Sequence, residues 1–347
     1  MPISKDIISW YLKNKRELPW RQTKNPYLIW VSEIMLQQTR VKQAMGYFYH
    51  FVARFPDLNT LANAEEKEVL KYWQGLGYYT RARNLHYSAQ YIVNELNGLF
   101  PDKYSTIIKL KGVGEHTAAA IASFAFGEKI PAIDGNVFRV LSRIFNENLA
   151  INTGTGKRAF KKIAEALIEN FKADEYNQAM MEFGAIICKP SNPLCSQCPV
   201  VVSCLAYHKG NISELPVKKK TGKLKKRYLN YLFIKCGKKT LIKERNQKDI
   251  WRGLYEFPLI ETKSNIMTEE LTLSEQWLDI VGDNFKLLKV FTPVLHRLSH
   301  QLLNITFYCV EINEFKIASL YEKVFLPDLI SYPVPKVIEN FINELDE

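Results

Sequence analysis

Residues 110–121 read Leu110-Lys111-Gly112-Val113-Gly114-Glu115-His116-Thr117-Ala118-Ala119-Ala120-Ile121. The stretch lies between two apolar, helix-forming runs, 104–110 and 115–126. Gly112 and Gly114 permit positive φ and leave the backbone bare. The turn then opens a helix whose free N–H groups point outward. Hydrogen bonding and the helix dipole both favour a phosphate at such a terminus. The expected shape is a helix-hairpin-helix over about 104–126, which grips a nucleic-acid backbone without reading sequence. The plainer alternative is an αα-turn that happens to hold two glycines.

Outward from this hairpin the chain reads as helix after helix. Asn25-Pro26 is a helix start, with Pro at the first helical position, and the run Tyr27–Gln38 follows. Thr60 is expected to cap the run through Leu70 and Trp73. Further helices are expected over 78–96, 135–145, 157–171 and 176–187, and no strand pattern competes. Within 27–36 only Ser32 and Glu33 are strongly polar. Helical spacing sets Glu33 beside Ile29, Trp30, Leu36 and Gln37. Most glutamates on helices face water, but a carboxyl here is expected to be partly desolvated. Desolvation raises its pKa and makes it a proton donor near neutral pH. Asp134, before Gly135-Asn136-Val137-Phe138-Arg139, reads first as a helix N-cap. Its second oxygen remains free to face a cleft. The helical region ends in four cysteines, Cys188, Cys195, Cys198 and Cys204, spaced C-x6-C-x2-C-x5-C. Pro190, Pro193 and Pro199 stop this segment from continuing as helix. Residues 188–204 therefore form a compact loop able to bring four thiolates to one metal centre, and spacing alone leaves a zinc site or an iron–sulfur cluster open.

At 347 residues the chain has room for two domains. No stretch approaches the roughly 20 apolar residues that span a bilayer. A reducing, cytoplasmic location is expected, where clustered cysteines favour a metal over disulfides. The net charge is +11, unevenly spread. Residues 1–215 carry 26 basic and 19 acidic side chains, and 216–228 carry seven basic and no acidic ones. Residues 229–347 carry 14 basic and 17 acidic, so the positive field sits on the N-terminal part and the connector. Such a footprint suits a polyanion. The Lys-rich stretch 216–228 reads as a linker. Beyond it, 228–234, 240–243, 254–260, 286–291 and 301–312 are β-branched and aromatic, and helical pieces are expected near 268–280 and 334–344. The expected fold is a mostly α N-terminal domain (1–215), a basic linker (216–228) and a smaller α+β domain (229–347). Cys236 and Cys309 stand alone in expected strands and read as small core residues.

Taken together, LKGVGEHTA, AIDGNVFRVLSR and the cysteine loop resemble the endonuclease III superfamily of DNA glycosylases. LPWRQTKNPYLIWVSEIMLQQTRV and YWQGLGYYTRARNL resemble its adenine glycosylase branch, the MutY proteins. WRGLYEFP (251–258) and VLHRLSH (294–300) resemble that branch's Nudix-like C-terminal domain, so the likeness covers nearly the whole chain. It implies a monomeric enzyme of the bacterial nucleoid. Its substrate would be double-stranded DNA carrying 8-oxoguanine:adenine or guanine:adenine mispairs, with the adenine removed in base excision repair. It implies a 4Fe–4S cluster on Cys188, Cys195, Cys198 and Cys204. Glu33 corresponds to the acid that protonates the purine. Asp134 corresponds to the carboxylate that stabilises the oxocarbenium-like sugar, a two-carboxylate logic. Asn136 supports the sugar site. Gln38 and Tyr78 match intercalating positions, and Arg81, Gly112 and Gly114 are expected at the DNA.

This chain departs from the family's pattern at three places. His116 stands where bifunctional relatives carry a lysine nucleophile, which implies hydrolysis without a Schiff base. The 8-oxoguanine-sensing loop, usually Phe-Ser-His, reads Leu298-Ser299-His300, keeping the polar pair and losing the aromatic contact. The C-terminal domain lacks the glutamate-rich Nudix metal signature, so nucleotide hydrolysis is not expected.

Overall fold

The computed structural model describes residues 2–219 and 224–345. Residues 220–223, inside the expected linker, lie outside the described residues. The helices are α1 (Pro2–Asn14), α2 (Pro26–Leu36), α3 (Val41–Arg54), α4 (Leu58–Ala62), α5 (Glu66–Tyr72), α6 (Thr80–Glu95), α7 (Tyr104–Ile107), α8 (Glu115–Phe126), α9 (Gly135–Ile144), α10 (Gly154–Ile168), α11 (Ala173–Ile186), α12 (Leu205–His208), α13 (Thr268–Thr272), α14 (Glu275–Ile280) and α15 (Lys336–Leu345). The strands are β1 (Lys225–Lys235), β2 (Lys239–Glu244), β3 (Tyr255–Glu256), β4 (Leu259–Thr262), β5 (Lys286–Val290), β6 (Val294–Arg297), β7 (Gln301–Glu311) and β8 (Glu322–Phe325). Among the described residues no helix is long and apolar enough to cross a membrane. The chain divides into two compact units, Met1–Asn63 with Asn84–Lys220 and Ala64–Arg83 with Thr221–Glu347. The Gly-rich segment 75–77 thus belongs to the second unit, although it lies far upstream in sequence.

The first unit is helical. Asn25 caps α2 by accepting from the Tyr27 and Leu28 amides, with Pro26 in the first turn. Asp57, rather than Thr60, is the cap further on. It accepts from the Thr60 amide, and the expected single helix is two short ones, α4 and α5. Thr153 caps α10, which begins at Gly154, three residues before the expected start. Gly156 is required there, since a Cβ would sit 2.1 Å from the Ala150 carbonyl oxygen. The core joins α1, α9, α10 and α11 through Ile7, Val140, Leu141, Phe160, Tyr176 and Phe183. Each such side chain contributes roughly 1.5–3 kcal/mol by leaving water, which fixes α9 and α11 as the floor of the site described below.

In the second unit β1 and β7 pair in parallel, Lys225 opposite Gln301 through Lys235 opposite Glu311. β4 joins β1, while β5 and β6 both join β7. A second sheet runs β3-β2-β8. α15 packs on the first sheet through Phe341, whose ring stacks on Phe307 at 4.1 Å. Two expectations are corrected here. The run 254–260 is two strands, β3 and β4, interrupted at Phe257-Pro258 and assigned to different sheets, because Pro lacks a ladder donor. Residues 225–228 are not linker but the start of β1. Arg227 is buried there, held by Glu261 and Asp249 at 2.7 and 2.9 Å.

Candidate active site

The α2 helix is buried almost all round, and Glu33 goes in with it, 7% exposed. Burial, and then the charge of Asp134, push its carboxyl up to about 7, with Arg21 opposing. At neutral pH a large fraction of Glu33 therefore carries a proton. Asp134 sits at the N-cap of α9. Its Oδ1 accepts from the Asn136 and Val137 amides at 2.9 and 2.8 Å. Its Oδ2 accepts from Asn136 Nδ2 at 2.7 Å. The cap geometry thus fixes one oxygen by backbone and the other by a side chain. Asn136 is locked in turn by Arg139, whose Nη2 donates to Asn136 Oδ1 at 2.8 Å. His116, in the first turn of α8, brings Nε2 to 3.7 Å from Glu33 Oε2.

Glu33, His116, Asp134, Asn136, Gln38, Gly112 and Gly114 line one pocket of about 1240 Å³, open to solvent. Arg16, Arg21 and Glu182 line it too, and sequence reasoning missed all three. Glu182 is 1% exposed and accepts from Arg16 at 2.6 Å and from Arg21 at 2.8 Å. Burial alone would raise its pKa, but these guanidinium hydrogen bonds hold it at about 2. Lone charges on otherwise apolar runs, the signal that found Glu33, also mark Arg139, Arg143 and Glu182.

The hairpin needs one correction. Gly112 has φ +81, and a Cβ there would meet Asn84 at 2.8 Å. Gly114 has φ −97 and ψ 178, an extended N-cap of α8 that any residue could adopt. Its value is the open space around it, which leaves the first-turn N–H groups approachable. Gln38 (φ +59) and Tyr78 (φ +49) are both left-handed non-glycine residues, and both are exposed. Strain of this kind collects at functional positions. In the second unit Tyr78 Oη lies 2.9 Å from Ser299 Oγ. Ser299 and His300 are exposed in the turn between β6 and β7, while Leu298 packs against the core of that unit. Arg81 is not at the surface. It is 8% exposed, lies over the Trp73 and Tyr78 rings, and donates to the Leu76 and Gly77 carbonyls. Burial pushes its pKa down to about 10. Arg81 braces the Gly-rich turn from inside.

The four cysteines of 188–204 line a separate small cavity with Arg143, Ile187, Pro193, Leu194 and Val200. None is in a disulfide. Arg143 Nη1 approaches Cys188 Sγ at 3.4 Å and also donates to the Lys189 carbonyl. Burial pushes the Cys198 thiol up to about 11, opposed by the Val200 amide, and also raises Cys195 and Cys204. Four thiolates in such a place need a cation, and the donor set fits a thiolate-held metal centre. Among the described residues no three His, Cys, Asp or Glu side chains converge as they would around a single ion. The cavity is tied to the pocket by hydrogen bonds: Arg139 Nε donates to the Cys188 carbonyl at 2.7 Å while its Nη2 holds Asn136.

Residues 31–170 match the family described as HhH-GPD superfamily base excision DNA repair protein, and residues 230–344 match the NUDIX domain. The chain is 34% identical to the adenine DNA glycosylase of Buchnera aphidicola subsp. Baizongia pistaciae, over 95% of this chain and 93% of that one. Among solved structures, a thermostable thymine-DNA glycosylase superposes with TM-score 0.56 and 31% identity, covering 59% of this chain and 95% of that chain. Endonuclease III in a non-covalent DNA complex shares the fold, with TM-score 0.51 and 21% identity over 60% of this chain and 94% of that one. The pocket and hairpin lie on a helical scaffold these proteins share, and the sequence likeness runs through both units; the chain belongs to the adenine DNA glycosylase family of helix-hairpin-helix base excision DNA repair enzymes.

Proposed function

We propose that the protein removes adenine opposite 8-oxoguanine or guanine in duplex DNA, by hydrolysis and without a lyase step. The observation that carries this reading is the pairing of Glu33 and Asp134 in one pocket, with the Glu33 carboxyl pushed up to about 7 so that a proton is available on it at neutral pH. Adenine leaves only if its ring is protonated, and the base must first leave the stack. Glu33 gives its proton to a purine ring nitrogen as the C1′–N bond breaks and the bonding pair goes to the base. Asp134 faces the cation that develops on the sugar, held in place by its cap bonds and by Asn136. Water then adds at C1′ and passes its proton to the Glu33 carboxylate, which restores the acid. His116 in place of a lysine leaves no amine in the pocket's first turn of α8 to form a Schiff base.

The first-turn amides of α8 would hold a backbone phosphate beside Gly112 and Gly114. Gln38 and Tyr78, exposed and conformationally strained, suit the wedges that enter a base stack. Ser299 and His300 would read the 8-oxoguanine edge. Cys188, Cys195, Cys198 and Cys204 would hold a 4Fe–4S cluster. Four thiolates alone suit a zinc ion or an iron–sulfur cluster, and the family to which the chain belongs favours the cluster. When bound, the cluster supplies a fixed, cationic crosslink for the loop, and no step of base removal passes through it.

The test is single-turnover adenine release from matched 8-oxoguanine:adenine, guanine:adenine and thymine:adenine duplexes. Release in that order of rate supports the reading. Equal rates on all three, or cleavage trapped by borohydride as a covalent adduct, contradict it.

A further inference from the structure

His116 combines two features that a surface or packing residue does not need. Its Nε2 lies 3.7 Å from Glu33 Oε2. Its Nδ1 is buried and has no hydrogen-bond partner. A neutral imidazole carries one N–H, and the buried nitrogen decides which. A buried lone pair without a partner costs less than an orphaned N–H, so the proton belongs on Nε2. A second proton on Nδ1 would have no acceptor, which keeps the ring neutral. The ring's only donor then points at Glu33.

We propose that His116 is a positioning residue whose neutral imidazole donates Nε2–H to Glu33 Oε2, leaving Oε1 to carry the proton that goes to the base. The 3.7 Å separation closes to a hydrogen bond when the substrate fills the pocket, as such contacts do on forming the reactive complex. The donated bond strengthens as Glu33 turns from acid to carboxylate, so it favours the transition state over the ground state. The proton on Nε2 does not itself transfer. The groups that face this pair agree with a neutral ring. Asp134 at the N-cap of α9 would favour imidazolium, but burial outweighs it and lowers the His116 pKa. Arg21, before α2, favours the Glu33 carboxylate. Glu115 on α8 faces Lys157 of α10 at 4.0 Å, and Glu182 of α11 is neutralised by Arg16 and Arg21.

The inference rests on Glu33 being the acid, and its experiment separates the two. Single-turnover adenine release from an 8-oxoguanine:adenine duplex is followed across pH for wild type, His116→Phe and His116→Gln. Loss of a hydrogen bond to a developing charge slows the plateau about 10- to 100-fold in His116→Phe. The same loss destabilises the carboxylate, so the alkaline limb moves to higher pH while the plateau falls. His116→Gln, whose amide nitrogen reaches the Nε2 position, restores the rate and returns the limb. Affinity for a duplex carrying an uncleavable 2′-fluoro adenosine is unchanged in both. A wild-type plateau and limb in His116→Phe, or a His116→Gln variant as slow as His116→Phe, overturns the proposal. Should His116→Phe bind DNA poorly, Gln is compared with Asn, whose amide matches only Nδ1. Faster release by the Gln variant supports the assignment, and equal or inverted rates overturn it. Normal release by Glu33→Gln would sink the acid assignment itself, whereas slow Glu33→Gln with normal His116→Phe sinks only this inference.

Discussion

The pocket around Glu33 and the cavity around the cysteines solve the same electrostatic problem in opposite ways. Each gathers groups whose charged forms repel. The pocket keeps about 1240 Å³ open and lets burial protonate one carboxylate while caps fix the other. The cysteine cavity is only about 20 Å³ and lined by apolar surface, and burial holds its thiols toward their neutral form. As thiolates they call for a cation beyond the single Arg143 guanidinium that reaches Cys188. The difference separates chemistry from scaffold: room for a substrate lies with the carboxylates, and a closed donor set lies with the cysteines. The bonded chain from Asp134 through Asn136 and Arg139 to the Cys188 carbonyl makes the second region a support for the first.

Substitutions can break this division, and the largest effect is expected at Glu33. Glu33→Gln should reduce adenine release on the order of 10²–10⁴-fold, the usual worth of a positioned acid, with affinity for uncleavable duplex retained. Asp134→Asn should lower release about 10²-fold while leaving the thermal midpoint nearly unchanged, because Asn is as good an N-cap as Asp. A midpoint drop equal to that of Asp134→Ala would mean that capping is the whole role of Asp134. Cys198→Ala tests the other region. It should lower bound iron and the melting temperature by roughly 5 °C or more before it affects the rate of the molecules that remain folded. In the second unit, Ser299→Ala with His300→Ala should erode the preference for 8-oxoguanine over guanine by about tenfold, the worth of one or two hydrogen bonds; an unchanged ratio places recognition elsewhere. The smallest effect on DNA affinity is expected at Arg81. Arg81→Ala should lower the melting temperature but leave the salt dependence of DNA binding unaltered, since no phosphate contact is removed.

How much of this was legible in the sequence follows from how local each signal is. Glu33 stood out because its whole helix is apolar, and Asp134 because a cap is read from the next three residues. The hairpin and the cysteine spacing are equally local. By contrast Glu182 meets Arg16 across 166 residues, a pairing no periodicity reports. The Gly-rich turn reads as part of the helical region, yet Arg81 lies buried over Trp73 and Tyr78, and Ala64–Arg83 clusters with the second unit. β6 and β8 escaped notice because they are short and largely exposed, with little alternation to read. The tautomer of His116 depends on a single buried atom, which only the packed structure supplies.

The central claim is that the protonated form of Glu33 drives base loss. The most direct measurement is the pH dependence of single-turnover adenine release by the wild-type protein on an 8-oxoguanine:adenine duplex. With the Glu33 carboxyl pushed up to about 7 by burial and by Asp134, the rate should be level at lower pH. Above about pH 7 it should fall tenfold per unit, as one proton is lost. A rate that rises through this range would contradict the account, because the group that matters would then act as a base.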